Sequence, residues 1–336
     1  MDLLSHALLG AAIGEATVGR RIGRRGMAMG AVTALLPDLD VLGHFFLPHA
    51  QQLAFHRGIT HSLLVAAILP LILAWLIRRN KTNATVPFVQ WTLLFGLALL
   101  SHLLLDVLTC YGTGLFEPFH SARIAFDTIF VADPFYTLPL LICTIGVLRT
   151  YSKEATRRKW NLTGLFLSGL YLLFTFVGHL SVQRIMTNSL VAQGKSFTSF
   201  TVTPTPMNSL LWMGYSQDKT GAWIGYYSLL DADTDVKFHR LERNDSLLAA
   251  FESDPTLAVL KRLSKGNYAL TQQGEHIYFN DLRFGQVSSW DSLDSEFALR
   301  YDFAAGADNA RPLNRMRFTE SKGVVFWRLV DRILGK

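Results

Sequence analysis

Four apolar segments constrain the fold of this 336-residue chain more than any other feature. They are residues 59–77, 88–109, 130–148 and 161–180, each close to the roughly 20 residues that a helix needs to cross a bilayer. Only 17% of all residues are charged, whereas soluble domains average about 25%. We therefore expect four membrane-spanning helices.

Two shorter apolar segments, residues 3–19 and 26–36, precede these spans. They are rich in small residues and are joined by RRIGRR, which predicts a helical hairpin and leaves open whether it crosses the membrane. Asp2 stands where a signal peptide has basic residues, and Glu15 interrupts the apolar run. We expect the hairpin to be retained in the mature protein.

The basic residues of this region predict its orientation. Twelve of them lie at alternate ends of successive segments, whereas the opposite ends carry only Arg57 and Arg123. The positive-inside bias makes the richer side cytoplasmic, so the other side faces the periplasm or the cell exterior. The twelve are Arg20, Arg21, Arg24, Arg25, Arg78, Arg79, Lys81, Arg149, Lys153, Arg157, Arg158 and Lys159.

Histidines and aspartates collect at the outward ends of these segments. Eight of the ten histidines fall within the first 180 residues. Ionisable groups beside hydrocarbon are costly and usually serve a function, so the pattern indicates a metal site at the outer membrane surface. The residues are His6, Asp38, Asp40, His44, His56, His61, His102, Asp106, Asp127 and Asp133.

Two motifs carry the strongest metal-binding signal. In SHLLLD, His102 and Asp106 are four residues apart and share a helix face, where they either bind one ion or pair with each other. In HRGITHS, His56 and His61 are too far apart to share a helix face. Gly58 places His56 in a turn and His61 at a helix start, and we favour convergence on one ion over two unrelated histidines.

Carboxylates elsewhere complete the candidate site. Pro37 predicts an extended turn that presents Asp38 and Asp40 to a shared ion, with an Asp-rich helix end as the alternative. His6 is a further ligand candidate, and Asp2 four residues earlier is expected on the same helix face as its carboxylate partner. Asp127 either orients a histidine or caps a helix, as does Asp133, for which we favour the cap. Three residues are candidates for a general base: Asp40, Asp106 and Asp127.

These motifs, in this order and spacing, resemble the YdjM family of inner-membrane proteins, described as metal-dependent hydrolases. The resemblance covers about residues 1–150 and rests most on HRGITHS and SHLLLD. It implies a membrane-embedded helical domain with a divalent metal site and hydrolase activity. The ligand order is also similar to that of zinc-dependent phospholipase C and P1-type nucleases. Their amino-terminal Trp and further His-x-x-x-Asp or Glu pair are not evident, so a three-metal cluster is not expected.

The chain beyond residue 183 has a different pattern. Five stretches alternate like strands: SFTSFTVT, AWIGYYSLL, VKFHRLE, HIYFNDLRF and EFALRYDFA. One helix is expected around residues 246–263. Near the end, VVFWRLVDRIL fits either an interfacial helix or a helix docked on its own domain. We therefore predict an all-α polytopic membrane domain over residues 1–183, followed by a small extracytoplasmic α+β domain over residues 184–336.

Taken together, these features predict a membrane-bound metal-dependent hydrolase with zinc, or alternatively manganese, at its site. Since the site lies near headgroup depth, a lipid or lipid-linked ester or phosphoester is the expected substrate. The alternative is a non-catalytic membrane scaffold with a structural His/Asp cluster, and transport ranks last. Lacking a basic-aromatic stripe, the chain is not expected to bind nucleic acid, and no protein partner is indicated. Cys110 and Cys143 lack metal-ligand spacing.

Overall fold

The computed structural model describes residues 1–47, 49–150, 152–286, 290, 296–303, 311–312 and 322–336. They form two compact units, one of Met1–Leu47, Ala54–Phe126 and Val131–Phe174, and one of Pro48–Leu53, Asp127–Phe130 and Thr175–Lys336. The amino-terminal region is mostly helical. Its helices are α1 (Leu3–Ile22), α2 (Arg24–Leu35), α3 (His49–Phe55), α4 (Leu63–Arg78), α5 (Phe88–Val107), α6 (Pro134–Arg149) and α7 (Glu154–Ala192).

The predicted amino-terminal hairpin is formed by α1 and α2. Asp2 caps α1 by accepting a hydrogen bond from the amide of Ser5 at 3.0 Å. The two helices approach so closely that a Cβ on Gly14 would lie 2.1 Å from the carbonyl oxygen of Gly26, and one on Gly10 would lie 2.4 Å from that of Gly30. Small residues are thus required where the hairpin closes.

Apolar helices suited to a membrane follow. Among the described residues, α5 and α7 are long and apolar enough to cross a bilayer. Two bent pairs pass the same test, Arg24–Leu35 with Pro37–Gly43 at 47° and Gln51–His61 with Leu63–Arg78 at 58°. The shorter α6 begins at Pro134, and Asp133 before it caps the helix by accepting from the amide of Phe135 at 2.9 Å, as predicted.

Helix α5 lies at the centre of the first unit. It packs against α1, α2 and α4, and Trp91, Leu94 and Ala98 along it are fully buried. Near its carboxyl end, His102 and Asp106 are buried as well. The spacing of four residues therefore directs both polar side chains into the helix bundle rather than towards lipid.

Two short 3₁₀ helices bring further polar groups to this end of α5. One, Pro37–Phe45, follows α2, and the other, Ile59–His61, precedes α4. The expected extended turn at PDLD is therefore wrong. Proline is readily accommodated in the first turn of a helix, and Leu36 before it keeps helical angles, with φ −59° and ψ −41°.

The second unit contains eight strands in the described residues. They are β1 (Ser199–Pro204), β2 (Leu211–Gln217), β3 (Gly221–Ser228), β4 (Phe238–Glu242), β5 (Tyr268–Gln273), β6 (His276–Asp281), β7 (Arg300–Asp302) and β8 (Arg311–Pro312). They form two antiparallel four-stranded sheets, in the orders β1-β2-β3-β4 and β5-β6-β7-β8. In the first sheet, Leu211 pairs with Ser228 and Trp212 with Tyr227. Strand-like stretches in the sequence predicted β1, β3, β4, β6 and β7, whereas β2, β5 and β8 were not anticipated.

Two α-helices accompany the sheets, α8 (Pro255–Leu263) and α9 (Lys322–Ile333). The single helix expected over residues 246–263 is instead a 3₁₀ helix, Asp245–Phe251, followed by α8. Asp254 starts the second piece by accepting a hydrogen bond from the amide of Thr256 at 2.7 Å. The domain boundary predicted between residues 183 and 184 falls inside α7 and stays a prediction.

Candidate metal centre

Four predicted residues converge at the carboxyl end of α5. Asp38 comes from the first 3₁₀ helix, His61 from the second, and His102 and Asp106 from α5, and their ligand atoms all lie within 4.8 Å of one another. The side chains of the last three are fully buried, whereas that of Asp38 is 16% exposed. Asp38 thus lies on the more open side of the cluster.

The distances between these atoms match a tetrahedral ion. The two Nε2 atoms of His61 and His102 are 3.1 Å apart, and they lie 3.3 and 3.4 Å from Asp106 Oδ2. Asp38 Oδ1 is 3.5 Å from the first and 3.7 Å from the second. A tetrahedral zinc ion with bonds of about 2.0–2.1 Å separates its ligands by about 3.3–3.4 Å. The cluster therefore has the size of a zinc site.

The histidine tautomers point to the same conclusion. His102 Nδ1 is 2.6 Å from the carbonyl oxygen of Ala34, to which it donates. His61 Nδ1 is 3.0 Å from Thr60 Oγ1 and 3.4 Å from Asp40 Oδ2, so it donates on that side. Both Nε2 atoms therefore face each other on the side away from these bonds. Two imidazole nitrogens so close need a proton or a metal ion between them, and a metal ion would also be within reach of both carboxylates.

Asp106 supplies a second sign of a cation site. Its Oδ2 is buried and has no hydrogen-bond partner among the residues that the structure describes. Its Oδ1 is 3.2 Å from both His6 Nε2 and Arg57 Nη2, and it also contacts the amino nitrogen of Met1. Because an unpartnered buried carboxylate oxygen is costly, the donor set of two imidazoles and two carboxylates fits a divalent ion.

Asp40 lies beside the cluster and holds the HRGITH segment in place. Its Oδ1 is 2.9 Å from His56 Nδ1, and its Oδ2 accepts from the amide of Arg57 at 2.8 Å and from the hydroxyl of Thr60 at 3.0 Å. With His61 Nδ1 also close to Oδ2, the arrangement is a carboxylate that orients a ligand histidine. The structure thus places Asp40 and His56 outside the group of four.

His6 is adjacent to the cluster without joining it. Its ring stacks on that of His102, with centroids 3.8 Å apart, and its Nε2 faces Asp106 Oδ1. Its buried Nδ1 has no hydrogen-bond partner within the described part of the chain. The predicted same-face partner, Asp2, instead bonds to Ser5. His6 therefore contributes to the environment of Asp106.

Arg57 is the residue that sequence reasoning missed. Its side chain is only 5% exposed, its Nη1 donates to Thr109 Oγ1 at 3.0 Å, and its Nε has no acceptor among the described residues. Its φ of 57° is a left-handed conformation that non-glycine residues rarely adopt. The sequence did carry one signal for Arg57, its position between two candidate ligand histidines. An arginine buried there needs a negative partner for its charge.

The remaining predicted residues lie elsewhere. Asp127 belongs to the second unit, where burial raises its pKa to about 6 although Lys265 and Arg283 act in the opposite direction. Its general-base role stays a prediction. His179 Nδ1 is 3.1 Å from the backbone carbonyl oxygen of Asp127. The side chain of His44 lies outside the described residues.

Comparisons with known proteins match the helical amino-terminal region of this chain to inner membrane proteins. The inner membrane protein YbcI of Escherichia coli (strain K12) is 34% identical over 113 residues, which are 34% of this chain and 64% of that relative. The chain thus covers less than two thirds of the relative, and no solved structure matches it. The family model of the YdjM inner membrane protein matches residues 1–182. The chain therefore belongs to the YdjM inner membrane protein family.

Proposed function

We propose that this chain is a metal-dependent hydrolase of the inner membrane, which cleaves an ester or phosphoester of a lipid or lipid-linked substrate. The observation that carries the proposal is the pair of Nε2 atoms of His61 and His102, 3.1 Å apart, beside an Asp106 Oδ2 that has no hydrogen-bond partner among the described residues. Asp38, His61, His102 and Asp106 are the proposed ligands. Zinc suits this donor set best, and manganese is the alternative.

The proposed topology is multi-pass, with four spans after the amino-terminal hairpin. The metal centre and the β-rich domain face the periplasm or the exterior, because the twelve basic residues of the connecting segments favour the cytoplasmic side. His61 precedes α4, and His102 with Asp106 ends α5. A centre at these helix ends would lie near headgroup depth, which supports a lipid or lipid-linked substrate.

A bound zinc ion would lower the pKa of a water ligand to about 7 and polarise the scissile group. The protein's own residues would supply the rest. Asp40 holds His61 in the ligand tautomer, and Arg57 places a positive charge beside the centre. Three carboxylates, Asp38, Asp40 and Asp106, outnumber the Arg57 guanidinium and the Met1 amino group, so a cation offsets the remaining negative charge. Because Nε of this guanidinium has no acceptor among the described residues, Arg57 favours a phosphoester over a neutral ester.

The metal claim is tested by elemental analysis of the full-length protein purified in detergent. We expect bound metal in the wild type, its loss in His102→Ala, and its retention in His56→Ala. The two variants make the same change at neighbouring histidines, of which only His102 belongs to the group of four. Equal metal content in both variants would refute the ligand assignment.

The hydrolase claim needs a second measurement on the metal-loaded protein. We expect cleavage of a chromogenic phosphodiester or a dispersed phospholipid that disappears with a chelator and returns with zinc. Arg57→Gln should reduce the rate while metal content stays normal, and Arg57→Lys should recover part of it. Full metal occupancy without turnover of any ester or phosphoester probe would reject hydrolysis.

A non-catalytic scaffold is the second candidate, and one observation favours it. Four protein groups are enough to fill a tetrahedral shell, which is the arrangement of structural zinc sites. In this case zinc removal would lower the melting temperature, and no substrate would be turned over. The hydrolase instead requires a coordination position that water or substrate can occupy. Asp38 is the most exposed of the four ligands, so it is the one that would exchange.

A further inference from the structure

Helix α9 is apolar on two opposite faces. Val325 and Leu329 are buried in the core of the second unit, and Ile333 packs against the same cluster. Outside this contact, Phe326 is 50%, Trp327 is 64% and Leu334 is 48% exposed. At about 100° per residue, Trp327 and the adjoining Leu334 lie opposite the buried side, with Val330 next to them, whereas Phe326 lies at the edge of the buried side. An outward apolar stripe is therefore present where an ordinary surface helix is polar.

The stripe belongs to a firmly attached helix. Arg332 Nη1 and Nη2 donate to the two carboxylate oxygens of Asp231 at 2.7 and 3.0 Å, and Nη2 also lies 3.1 Å from the carbonyl oxygen of Tyr226. The hydroxyl of Ser228 donates to the carbonyl oxygen of Ile333 at 2.5 Å. Because α9 already packs on the second unit through its inner face, its exposed aromatic residues do not belong to the core of that unit.

The charge of the chain changes sign around this helix. Residues 311–336 contain seven Lys and Arg but only two acids, whereas residues 181–310 contain eleven Lys and Arg and fifteen acids. Along α9, Arg328 lies directly beside Trp327, and Lys336 follows the helix. The exposed aromatic stripe is thus set in the basic part of an otherwise acidic domain.

We propose that the outer face of α9 binds the surface of a bilayer that contains anionic lipids. Tryptophan and phenylalanine beside arginine and lysine are the residue types that insert at headgroup depth, and basic residues add attraction to anionic headgroups. Pairing with a second copy of this chain would bring two basic segments together, which charge repulsion opposes. A membrane protein also always has a bilayer within reach.

The test uses the full-length protein in nanodiscs of phosphatidylcholine with one third phosphatidylglycerol, with plain or brominated acyl chains. Bromine quenches only indole rings that reach the lipid. The emission due to Trp327 is the difference between the wild type and Trp327→Phe. Trp223→Phe is the matched control, because Trp223 lies in the same unit with Lys195 and Arg240 over its ring.

We expect most of the Trp327 emission to be lost in brominated discs and the Trp223 emission to be unchanged. Discs of phosphatidylcholine alone should restore much of the Trp327 signal. Equal Trp327 emission in plain and brominated discs would overturn the proposal, as would quenching that is the same without phosphatidylglycerol. A dimer in detergent that Trp327→Ser dissociates, together with absent quenching, would identify a second copy as the occupant instead. None of these outcomes depends on metal or hydrolysis.

Discussion

Replacing Asp40 tests whether this residue orients a metal ligand or binds the metal itself. In the structure its Oδ2 lies 3.4 Å from His61 Nδ1 and accepts from Arg57 and Thr60, while its Oδ1 faces His56. Loss of a partner that orients a ligand typically weakens metal binding about 10–100-fold, or about 1.4–2.7 kcal/mol.

The structure decides where in this range each variant falls. In Asp40→Asn the amide oxygen can stay at the Oδ2 position with its donors, and the amide nitrogen can face His56, whose other tautomer accepts. His61 then keeps a neutral acceptor, so we expect a loss of about tenfold. Asp40→Ala removes every one of these contacts, and we expect about a hundredfold loss.

Competition with a zinc-binding dye measures both affinities on the purified full-length protein. His56→Ala is the control, because it removes a contact of Asp40 without touching the group of four. Melting temperatures in the presence of chelator show whether each variant still folds. Wild-type affinity in Asp40→Ala would refute the orienting role. A loss as complete as in Asp38→Ala would make Asp40 itself a ligand, as the sequence alone suggested.

Three further variants test the packing of the chain, each by thermal unfolding. Glu15→Gln should cost about 3 kcal/mol, because it breaks a buried ion pair with an arginine of α7 at 2.6 Å, whereas the exposed Glu154→Gln should change little. Gly14→Ala should destabilise the hairpin by about 1–3 kcal/mol, while Gly169→Ala, with open space around it, should not. The pKa of Asp127 rises from 3.8 to about 6 on folding, so the stability of the folded protein should fall as pH rises through that range. Asp127→Asn should abolish this decline. An unchanged pH profile in the variant would refute the role of Asp127.

Much of the architecture followed from the sequence because it depends on local composition. Apolar segments predicted the approximate positions of α1, α2, α4, α5, α6 and α7, whereas α3 was not anticipated. The i, i+4 spacing of His102 and Asp106 placed both on one buried face. Strand β2, which has the sequence LWMGYSQ, was not anticipated. Its start depends on Asn208, whose side chain accepts from the amides of Leu210 and Leu211, and such a contact leaves little trace in composition.

The ligand set could be only partly predicted, because spacing does not determine which atoms of a side chain are already engaged. His56 and His61 belong to one motif, yet only His61 of the two directs its Nε2 into the cluster. The difference arises at Arg57, whose left-handed backbone turns the chain between them. Nothing in the sequence marks a non-glycine residue for that conformation, since tertiary contacts such as that with Asp106 maintain it.

The same reasoning explains why two aspartates of one motif have different roles. In a 3₁₀ helix successive residues turn by about 120°, so residues two positions apart cannot point the same way. Asp38 directs an oxygen towards the Nε2 atoms of His61 and His102, and Asp40 faces the segment that carries His56. On an extended turn, residues two apart would share a side, and both carboxylates would have been available to one ion. The 3₁₀ geometry of PDLD thus limits the group to one carboxylate from this motif, and Asp106 supplies the second.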